Sequence, residues 1–191
     1  QPKNNIVELK NQTEKMSKSK FNVVNPDDIC EQYGADTLRL YEMFLGPIQD
    51  SKPWNTQGIE GVHRFLNKLW NLVFNEQTVL IQDVEPAKDS LKTLHKTIKK
   101  ITNDIENFSF NTAISAFMIA LNELSQQQCR SKNIIEPFII LLAPFAPHIS
   151  EEIWHKLGNT ESIHKSKWPT FDTSYLVENS KKYPISINGK V

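Results

Sequence analysis

The sequence is poor in the residues that several classes of protein require. Its six glycines are too widely spaced to form a G-x-G-x-x-G dinucleotide fingerprint or a G-x-x-x-x-G-K-[ST] phosphate loop. Its two cysteines, Cys30 and Cys129, lie far apart and belong to no C-x-x-C pair, which argues against a zinc knuckle, a redox pair or a disulfide framework. We therefore expect a protein of the reducing cytoplasm, in which any phosphate site is built from lysines.

Long apolar runs and net charge are lacking as well. The longest apolar run, residues 138–143, is far shorter than the roughly 20 residues that cross a bilayer, and no charged and apolar leader opens the chain. Lys and Arg number 22, as do Asp and Glu, so the formal net charge is zero. We expect a soluble monomer without a membrane partner, in which any contact with nucleic acid depends on local charge.

Most of the chain is predicted to be helical. Asn25 is a predicted N-cap, Pro26 suits the first helical position and Gly34 marks a helix end. Apolar residues at spacings of three and four indicate the longer helices that follow. The pattern predicts a mainly α protein, an antiparallel helical bundle with short loops. The predicted helices are residues 26–33, 35–45, 58–76, 88–108, 111–125, 134–142 and 147–157.

The three longest predicted helices each carry an apolar stripe that we expect to form the core. On the second of them, lysines share a different face from the stripe. The expected core residues are Ile59, Val62, Leu66, Leu69 and Val73; Leu91, Leu94, Ile98, Ile101, Ile105 and Phe108; and Ile114, Phe117, Met118, Leu121 and Leu124.

Residues 15–20 form the most informative segment, because three lysines and two serines alternate on a stretch without helical or strand periodicity. Ammonium groups, hydroxyls and backbone N–H groups would meet a polyphosphate together on such a loop. Met16 would supply an apolar anchor. The alternative is a solvated basic loop without a ligand.

Lys15-Met16-Ser17-Lys18-Ser19 is identical to the KMSKS signature of the class I aminoacyl-tRNA synthetases, and the chain resembles that family further along. Residues 25–27 (NPD), 33–40 (YGADTLRL) and 142–154 (LAPFAPHISEEIW) occur in the family's order. This assortment resembles the subclass for leucine, isoleucine, valine and methionine. Residues 51–55, 58–66, 94–98 and 111–114 resemble the bacterial leucyl-tRNA synthetases in particular. The chain departs from the family at Phe21, where Gly is usual and where a side chain restricts the range of φ.

The resemblance implies the fold and the chemistry. The fold would be a helical bundle of the anticodon-binding type, preceded by the KMSKS loop and two short helices. The full-length protein would be a leucine-tRNA ligase, which uses ATP with Mg²⁺ to activate leucine and transfers it to tRNA(Leu). Lys18 would be the catalytic residue that holds the triphosphate and the departing pyrophosphate, and the ATP-binding residues would be Lys15, Met16, Ser17, Lys18 and Ser19.

This segment contains no HIGH-like motif, no nucleotide-binding sheet and no editing insert, which the family places before the signature. We therefore expect the isolated segment to bind no cofactor firmly and to be inactive alone. Three domains are predicted: residues 1–57 end the catalytic domain, 58–168 form the bundle, and 169–191 are a linker and the first strand of a C-terminal domain. The start at Gln1 and the stop just after Asn188-Gly189 suggest an excised piece of a longer protein.

The candidate tRNA contacts are four lysines on one face of the predicted 88–108 helix, together with Arg64 and Lys68, which lie opposite the apolar stripe of the predicted 58–76 helix. They would bind phosphates and position the tRNA without reading its bases. The alternative is a solvated face, since acidic residues nearby dilute the positive field. The candidate residues are Arg64, Lys68, Lys92, Lys96, Lys99 and Lys100.

Two other groups favour structural interpretations. His148, Glu152 and His155 could lie on one helical face, but the HExxH template is not met and we predict no metal site. Asp36 and Arg39 are interpreted as an intrahelical pair rather than as catalytic groups.

Two hypotheses compete with the leucine enzyme. One is a synthetase segment for valine, isoleucine or methionine. The other is a separate helical RNA-binding or protein-interaction module that keeps the loop without its chemistry. The sequence that precedes residue 1 would distinguish the module from the enzyme.

Overall fold

A computed structural model describes residues 12–76 and 78–177 of the chain. The strand predicted for the C-terminal domain, residues 183–191 with its Asn188-Gly189 turn, lies outside these residues. The mainly helical fold is confirmed, since the described part is built from α-helices with one short hairpin. The elements are α1 (Pro26–Tyr33), α2 (Ala35–Phe44), α3 (Thr56–Val73), β1 (Phe74–Asn75), β2 (Thr78–Val79), α4 (Lys88–Glu106), α5 (Phe110–Gln126), α6 (Lys132–Leu142) and α7 (Pro147–Lys156).

Local sequence signals determine where the first helices begin and end. The Asn25 side chain accepts a hydrogen bond from the Asp27 N–H and caps α1, as predicted. Gly34 has φ +87°, which favours glycine, and separates α1 from α2. The Asn55 side chain caps α3 in the same way, so α3 begins two residues before the predicted position 58.

A β-hairpin follows α3, and the predicted continuation of that helix to residue 76 is wrong. β1 pairs antiparallel with β2, with Phe74 opposite Val79 and Asn75 opposite Thr78. Phe74 is buried, whereas Thr78 and Val79 are exposed β-branched residues that suit a strand. The extended chain carries on to Gln82, whose N–H donates to the Arg130 carbonyl at 2.8 Å.

The core lies between α3, α5 and α6 and the inner face of α4. Phe117, Phe138 and Leu124 are fully buried at its centre, and the Phe117 and Phe138 rings meet edge to face at 5.6 Å. α4 and α5 run antiparallel, because Ser90 near the start of α4 donates to Gln127 just beyond the end of α5. All of the predicted core residues are buried or half-buried except Phe108.

Phe108 was expected in the core but lies beyond the end of α4 with 65% of its surface exposed. Its N–H donates to the Ile105 carbonyl and the Ser109 N–H donates to the Asp104 carbonyl, which together form a Schellman helix end. Phe108 therefore occupies the left-handed position of that motif, with φ +54°, where glycine is usual. The apolar periodicity of α4 predicted a longer helix because periodicity carries no information about the left-handed residue at which the helix ends.

Within the described ranges, no helix combines the length and the apolar character needed to cross a membrane.

Cys30 is half-buried and Cys129 is buried, and both are free thiols.

Candidate functional site

Residues 15–22, which we call the signature loop, form a tight turn. Lys18–Lys20 make one turn of 3₁₀-helix. The Asn22 side chain closes the loop, because its carbonyl oxygen accepts from the Ser17 N–H at 2.8 Å and its amide donates to the Lys15 carbonyl at 3.4 Å. The Ser17 and Ser19 hydroxyls lie 2.8 Å apart. The two serines thus share one side of the loop, on either side of the start of the 3₁₀ turn.

The loop's three lysines have different surroundings. Lys20 forms an ion pair with Glu14. Lys15 and Lys18 are exposed, and none of residues 12–76 and 78–177 accepts a hydrogen bond from either ammonium group. The structure therefore distinguishes Lys18 from Lys20, which sequence spacing alone could not do.

Two apolar residues of the loop face solvent. Met16 is 41% exposed and is not among the side chains packed on the core, so it anchors nothing within the described chain. Phe21 ends the 3₁₀ turn with φ +54° and is 95% exposed. A phenylalanine in this left-handed conformation is strained by about 1–2 kcal/mol relative to glycine.

Asp36 does not pair with Arg39, so the predicted intrahelical pair is wrong. The buried Asp36 carboxylate accepts from the N–H of Ile149 at 2.7 Å and the N–H of His148 at 3.3 Å, and His148 Nδ1 lies 2.8 Å away. Asp36 thereby caps the first turn of α7. No acid of α7 itself lies in that first turn, because Glu151 and Glu152 lie in the second.

Arg39 reaches the same junction from the next turn of α2. Its Nε donates to the Phe145 carbonyl at 3.3 Å and its Nη2 to the Pro144 carbonyl at 3.0 Å. We call these contacts of Asp36 and Arg39 with residues 144–149 the α2–α7 clamp. The clamp fixes the short helices next to the signature loop onto the bundle.

The candidate metal ligands separate into different pairs. His148 faces Asp36, His155 Nε2 lies 3.0 Å from Glu151 Oε1, and Glu152 pairs with Lys156. Among residues 12–76 and 78–177, no three His, Cys, Asp or Glu side chains lie close enough to share a metal ion.

The four candidate lysines of α4 lie on its outer face but differ in their partners. Lys100 binds both carboxylate oxygens of Asp104 at 2.6 Å. Lys99 sits 5.8 Å from the centre of the Phe171 ring. Lys96 is exposed, and Lys92 is half-buried.

A segment that the sequence interpretation missed lies against this face. Residues 168–176, which we call the strap, were predicted to be mostly linker. The Trp168 indole N–H donates to Thr102 at 2.9 Å, the Asp172 N–H donates to His95 Nδ1 at 3.0 Å, and the Tyr175 ring stacks on His95 at 4.6 Å. The spacing of Trp168, Phe171 and Tyr175 was the sequence signal that could have predicted contact with a helix.

Arg64 and Lys68 lie on the exposed side of α3, as predicted. Lys68 donates to Asn122 of α5 at 2.6 Å. On the opposite flank of α5, Thr93 of α4 donates to the adjacent Glu123. The α3 cations and the α4 lysines therefore flank the same exposed stripe of α5, which carries Ile119 with 59% of its surface exposed.

Two family models match the chain. One, described as the anticodon-binding domain of tRNA ligase, matches residues 87–191. The other, described as tRNA synthetases class I (I, L, M and V), matches residues 4–52.

Curated relatives and a solved structure point the same way. The chain is 61% identical over 180 residues to a leucine–tRNA ligase of Christiangramia forsetii, covering 94% of this chain and 19% of the relative. It is 63% identical over 178 residues to that of Parabacteroides distasonis, covering 93% and 19%. The crystal structure of a LeuRS–tRNA–LeuAMS ternary complex from Agrobacterium radiobacter matches with a TM-score of 0.71 at 28% identity, covering 85% of this chain and 23% of that one.

The chain spans about a fifth of the length of the curated relatives it matches. Since the anticodon-binding model covers more than half of its 191 residues, the chain belongs to the anticodon-binding domain family of the tRNA ligases.

Proposed function

We propose that the chain is the part of a leucine-tRNA ligase that supplies the ATP-phosphate loop and a bundle that braces tRNA(Leu). The observation that carries the first half is the pair Lys15 and Lys18, which have no acidic partner among residues 12–76 and 78–177 and lie on a loop closed by Asn22. Two hydroxyls, Ser17 and Ser19, lie beside them. Cations, hydroxyls and N–H groups on one tight turn suit a polyphosphate.

The chemistry proposed for the loop is the activation of leucine. The amino-acid carboxylate attacks the α-phosphorus of ATP, a new carboxylate–phosphorus bond forms, and the bond to the pyrophosphate oxygen breaks. Negative charge grows on the departing pyrophosphate, so the Lys18 ammonium stabilises the transition state more than it stabilises bound ATP. Lys15, Ser17 and Ser19 shape the loop around the phosphates.

The loop itself suits phosphates rather than Mg²⁺. Magnesium prefers carboxylate and phosphate oxygens, and the Glu14 carboxylate, which contacts the loop in the described part of the chain, is paired with Lys20. Mg²⁺ would therefore arrive with ATP, held by the phosphate oxygens and by residues outside this loop.

The bundle is proposed to contact tRNA phosphates through Arg64, Lys68 and the α4 lysines. These two groups flank α5 and could meet one nucleic-acid backbone. Such contacts position RNA and depend on salt, and they would act similarly on leucine and non-leucine tRNAs. The monomeric state and the cytoplasmic location stay predictions of the sequence.

The proposed activity is tested by ATP–pyrophosphate exchange with the full-length protein. Exchange should depend on leucine and be much weaker with valine, isoleucine or methionine. Exchange that depends on one of the other three amino acids would assign the chain to that enzyme, and no exchange with any of them would favour a binding module.

The proposed tRNA surface is tested in the 191-residue chain by changing Lys92, Lys96, Lys99 and Lys100 to Gln. We expect weaker tRNA binding and a shallower salt dependence, by somewhat less than one unit of slope for each lost phosphate contact. The matched control changes Lys132, Lys156 and Lys165, which pair with acids one turn away, to Gln. Because the variant removes four charges and the control three, equal losses per removed charge would show that only net charge matters.

A further inference from the structure

One side chain, that of Asn22, holds the two halves of the signature loop together. Its Oδ1 accepts from the Ser17 N–H at 2.8 Å, and its Nδ2 donates to the Lys15 carbonyl at 3.4 Å. The Ser17 carbonyl accepts in turn from the Lys20 N–H at 3.0 Å. The residue directly before Lys18 is therefore held at both its N–H and its carbonyl.

The two hydrogen bonds of Asn22 depend on the amide chemistry of its side chain. A backbone N–H needs an acceptor and a backbone carbonyl needs a donor, and an amide offers both side by side. A carboxylate at this position would repel the Lys15 carbonyl, and an aliphatic side chain would bind neither group. Position 22 thus acts on the loop through its functional groups.

The backbone of Phe21 makes this closure possible. Its N–H donates to the Lys18 carbonyl at 3.3 Å, and its φ is +54°. A left-handed residue reverses the chain at the end of a helical turn, so Asn22 returns to face residues 15–17. That conformation is strained for a phenylalanine, and the hydrogen bonds of Asn22 help to offset the strain.

The closure acts on the loop rather than on the stability of the bundle. The 3₁₀ turn contains no buried residue, and both hydrogen bonds of Asn22 are exposed to solvent. Exposed hydrogen bonds add little to global stability, because water replaces them on unfolding. They do restrict the backbone that carries Lys18. A backbone ordered before ATP binds loses less entropy when the Lys18 ammonium meets the pyrophosphate.

We propose that Asn22 is a positioning residue for the activation of leucine, which acts through Lys18 by holding the signature loop closed. The inference rests on the proposed function, in which Lys18 stabilises the departing pyrophosphate. Because Asn22 acts on the geometry of Lys18 and not on bound ATP, its loss should lower the rate of the chemical step and leave ATP affinity nearly unchanged.

The experiment measures single-turnover formation of leucyl-adenylate by the full-length protein over a range of ATP concentrations. Asn22→Leu keeps the approximate shape of the side chain without its hydrogen-bonding groups, and Asn22→Ala removes both. Each should slow the maximal rate about tenfold and change the half-saturating ATP concentration by less than about twofold. Position 22 is exposed, so both variants should fold, and circular dichroism checks this. A maximal rate equal to that of the wild type in Asn22→Leu would overturn the inference.

The dependence of the Asn22 effect on Lys18 separates positioning from a merely structural role. In a Lys18→Ala background, Asn22→Leu should slow the reaction by less than about a further twofold, because the group that it positions is gone. A tenfold loss in both backgrounds would overturn the inference, since Asn22 would then act independently of Lys18. A raised half-saturating ATP concentration with an unchanged maximal rate would overturn it too, because Asn22 would then bind ATP itself.

Asn25→Ala is the matched control. It removes a hydrogen bond between a side chain and the backbone only three residues away, from the Asp27 N–H at 3.2 Å, but leaves the loop closed. Its rate should stay within about twofold of the wild type, and slowing equal to that of Asn22→Leu would overturn the inference.

Amide exchange of Ser17 in the 191-residue chain, followed by NMR, measures the closure itself. It should accelerate severalfold in Asn22→Leu and stay unchanged in Asn25→Ala. Unchanged exchange in Asn22→Leu would show that Asn22 does not hold the loop closed.

The outcomes separate this inference from the function on which it rests. If the wild type forms leucyl-adenylate, and Lys18→Ala slows the reaction but Asn22→Leu does not, the inference is wrong and the proposed function stands. If the wild type activates none of leucine, valine, isoleucine and methionine, the proposed function fails and the inference fails with it.

Discussion

Lys15 and Lys18 of the signature loop and the paired lysines of the bundle have different surroundings. In the loop, Lys15 and Lys18 extend into solvent without a partner among the described residues. In the bundle, lysines such as Lys100, Lys132 and Lys156 pair with an acid one helical turn away. A paired lysine lends less charge to an incoming phosphate, because the pair must be weakened first. The surroundings of a lysine therefore indicate its role better than its exposure does.

The largest effect is expected when Lys18, which has no partner among the described residues, is replaced. In the full-length protein, Lys18→Ala should slow formation of the leucyl-adenylate by about 2–4 kcal/mol, a hundredfold or more, while changing ATP affinity much less. The reason is that Lys18 meets charge that develops only as pyrophosphate leaves. Pre-steady-state kinetics of adenylate formation measures the effect.

Lys20→Ala is the matched control, because Lys20 lies in the same turn but is paired with Glu14. It should slow the reaction much less. A Lys18→Ala rate within about twofold of the wild type would remove Lys18 from the mechanism.

The next prediction concerns the Asp36 carboxylate, which caps α7 of the bundle. Asp36→Ala should lower the free energy of unfolding of the 191-residue chain by about 2–3 kcal/mol, because α7 loses its cap and two N–H groups lose their acceptor. Urea denaturation measures the change. Asp50→Ala, at an exposed carboxylate, should change it by less than about 0.5 kcal/mol. Equal effects of the two substitutions would contradict the role of the clamp.

A smaller change in stability is expected at Phe21 in the loop and Phe108 in the bundle, which both adopt the left-handed conformation with φ +54°. Phe108→Gly should stabilise the chain by up to about 1 kcal/mol, because glycine takes the left-handed conformation without strain. Phe21→Gly should change the free energy of global unfolding less than Phe108→Gly does, since Phe21 is 95% exposed and its 3₁₀ turn contains no buried residue. Thermal or urea unfolding of both variants makes the comparison. Gly158→Ala, at φ +96°, is the reverse test and should destabilise.

The smallest predicted effect is the response of the strap to pH. Burial is the main cause that lowers the pKa of His95 below its ordinary 6.5, with the Asp172 carboxylate opposing it. The unfolded chain therefore binds more protons just below pH 6.5, so the contribution of His95 is complete above that value and is lost as the pH falls through the folded pKa. The Ser174 N–H lowers the pKa of Asp172 below 3.8, which adds a second loss at still lower pH.

Amide exchange at Asp172 reports this response directly, because its N–H donates to His95 Nδ1, which must be unprotonated to accept. Protection, corrected for the intrinsic rate, should be complete above about pH 6.5 and fall as the pH drops below that value through the folded pKa of His95. His95→Gln, which keeps an acceptor that does not titrate, should flatten the profile. The same fall in that variant would assign the response to another group.

Periodicity predicted most of the helices, because a core stripe and a capping residue are local properties of the chain. Asn25, Gly34 and the stripes of α3 and α5 are examples. The α2–α7 clamp could not be predicted in this way, since Asp36 and Arg39 bind residues 105–113 positions away. The strap was missed for the same reason. In the signature loop, the family resemblance indicated Lys18, but only the contact of Lys20 with Glu14 distinguishes the two lysines physically.

The clamp also bears on how the protein can be dissected. A cut at residue 57, where the sequence suggests a boundary, would separate Asp36 and Arg39 from their partners on the far side of the bundle. It would also strip the buried Leu40 and Tyr41 side chains from the core. The smallest piece that folds cooperatively should therefore begin before α2, so that the short helices after the signature are part of the bundle's folding unit whichever domain they are assigned to by function.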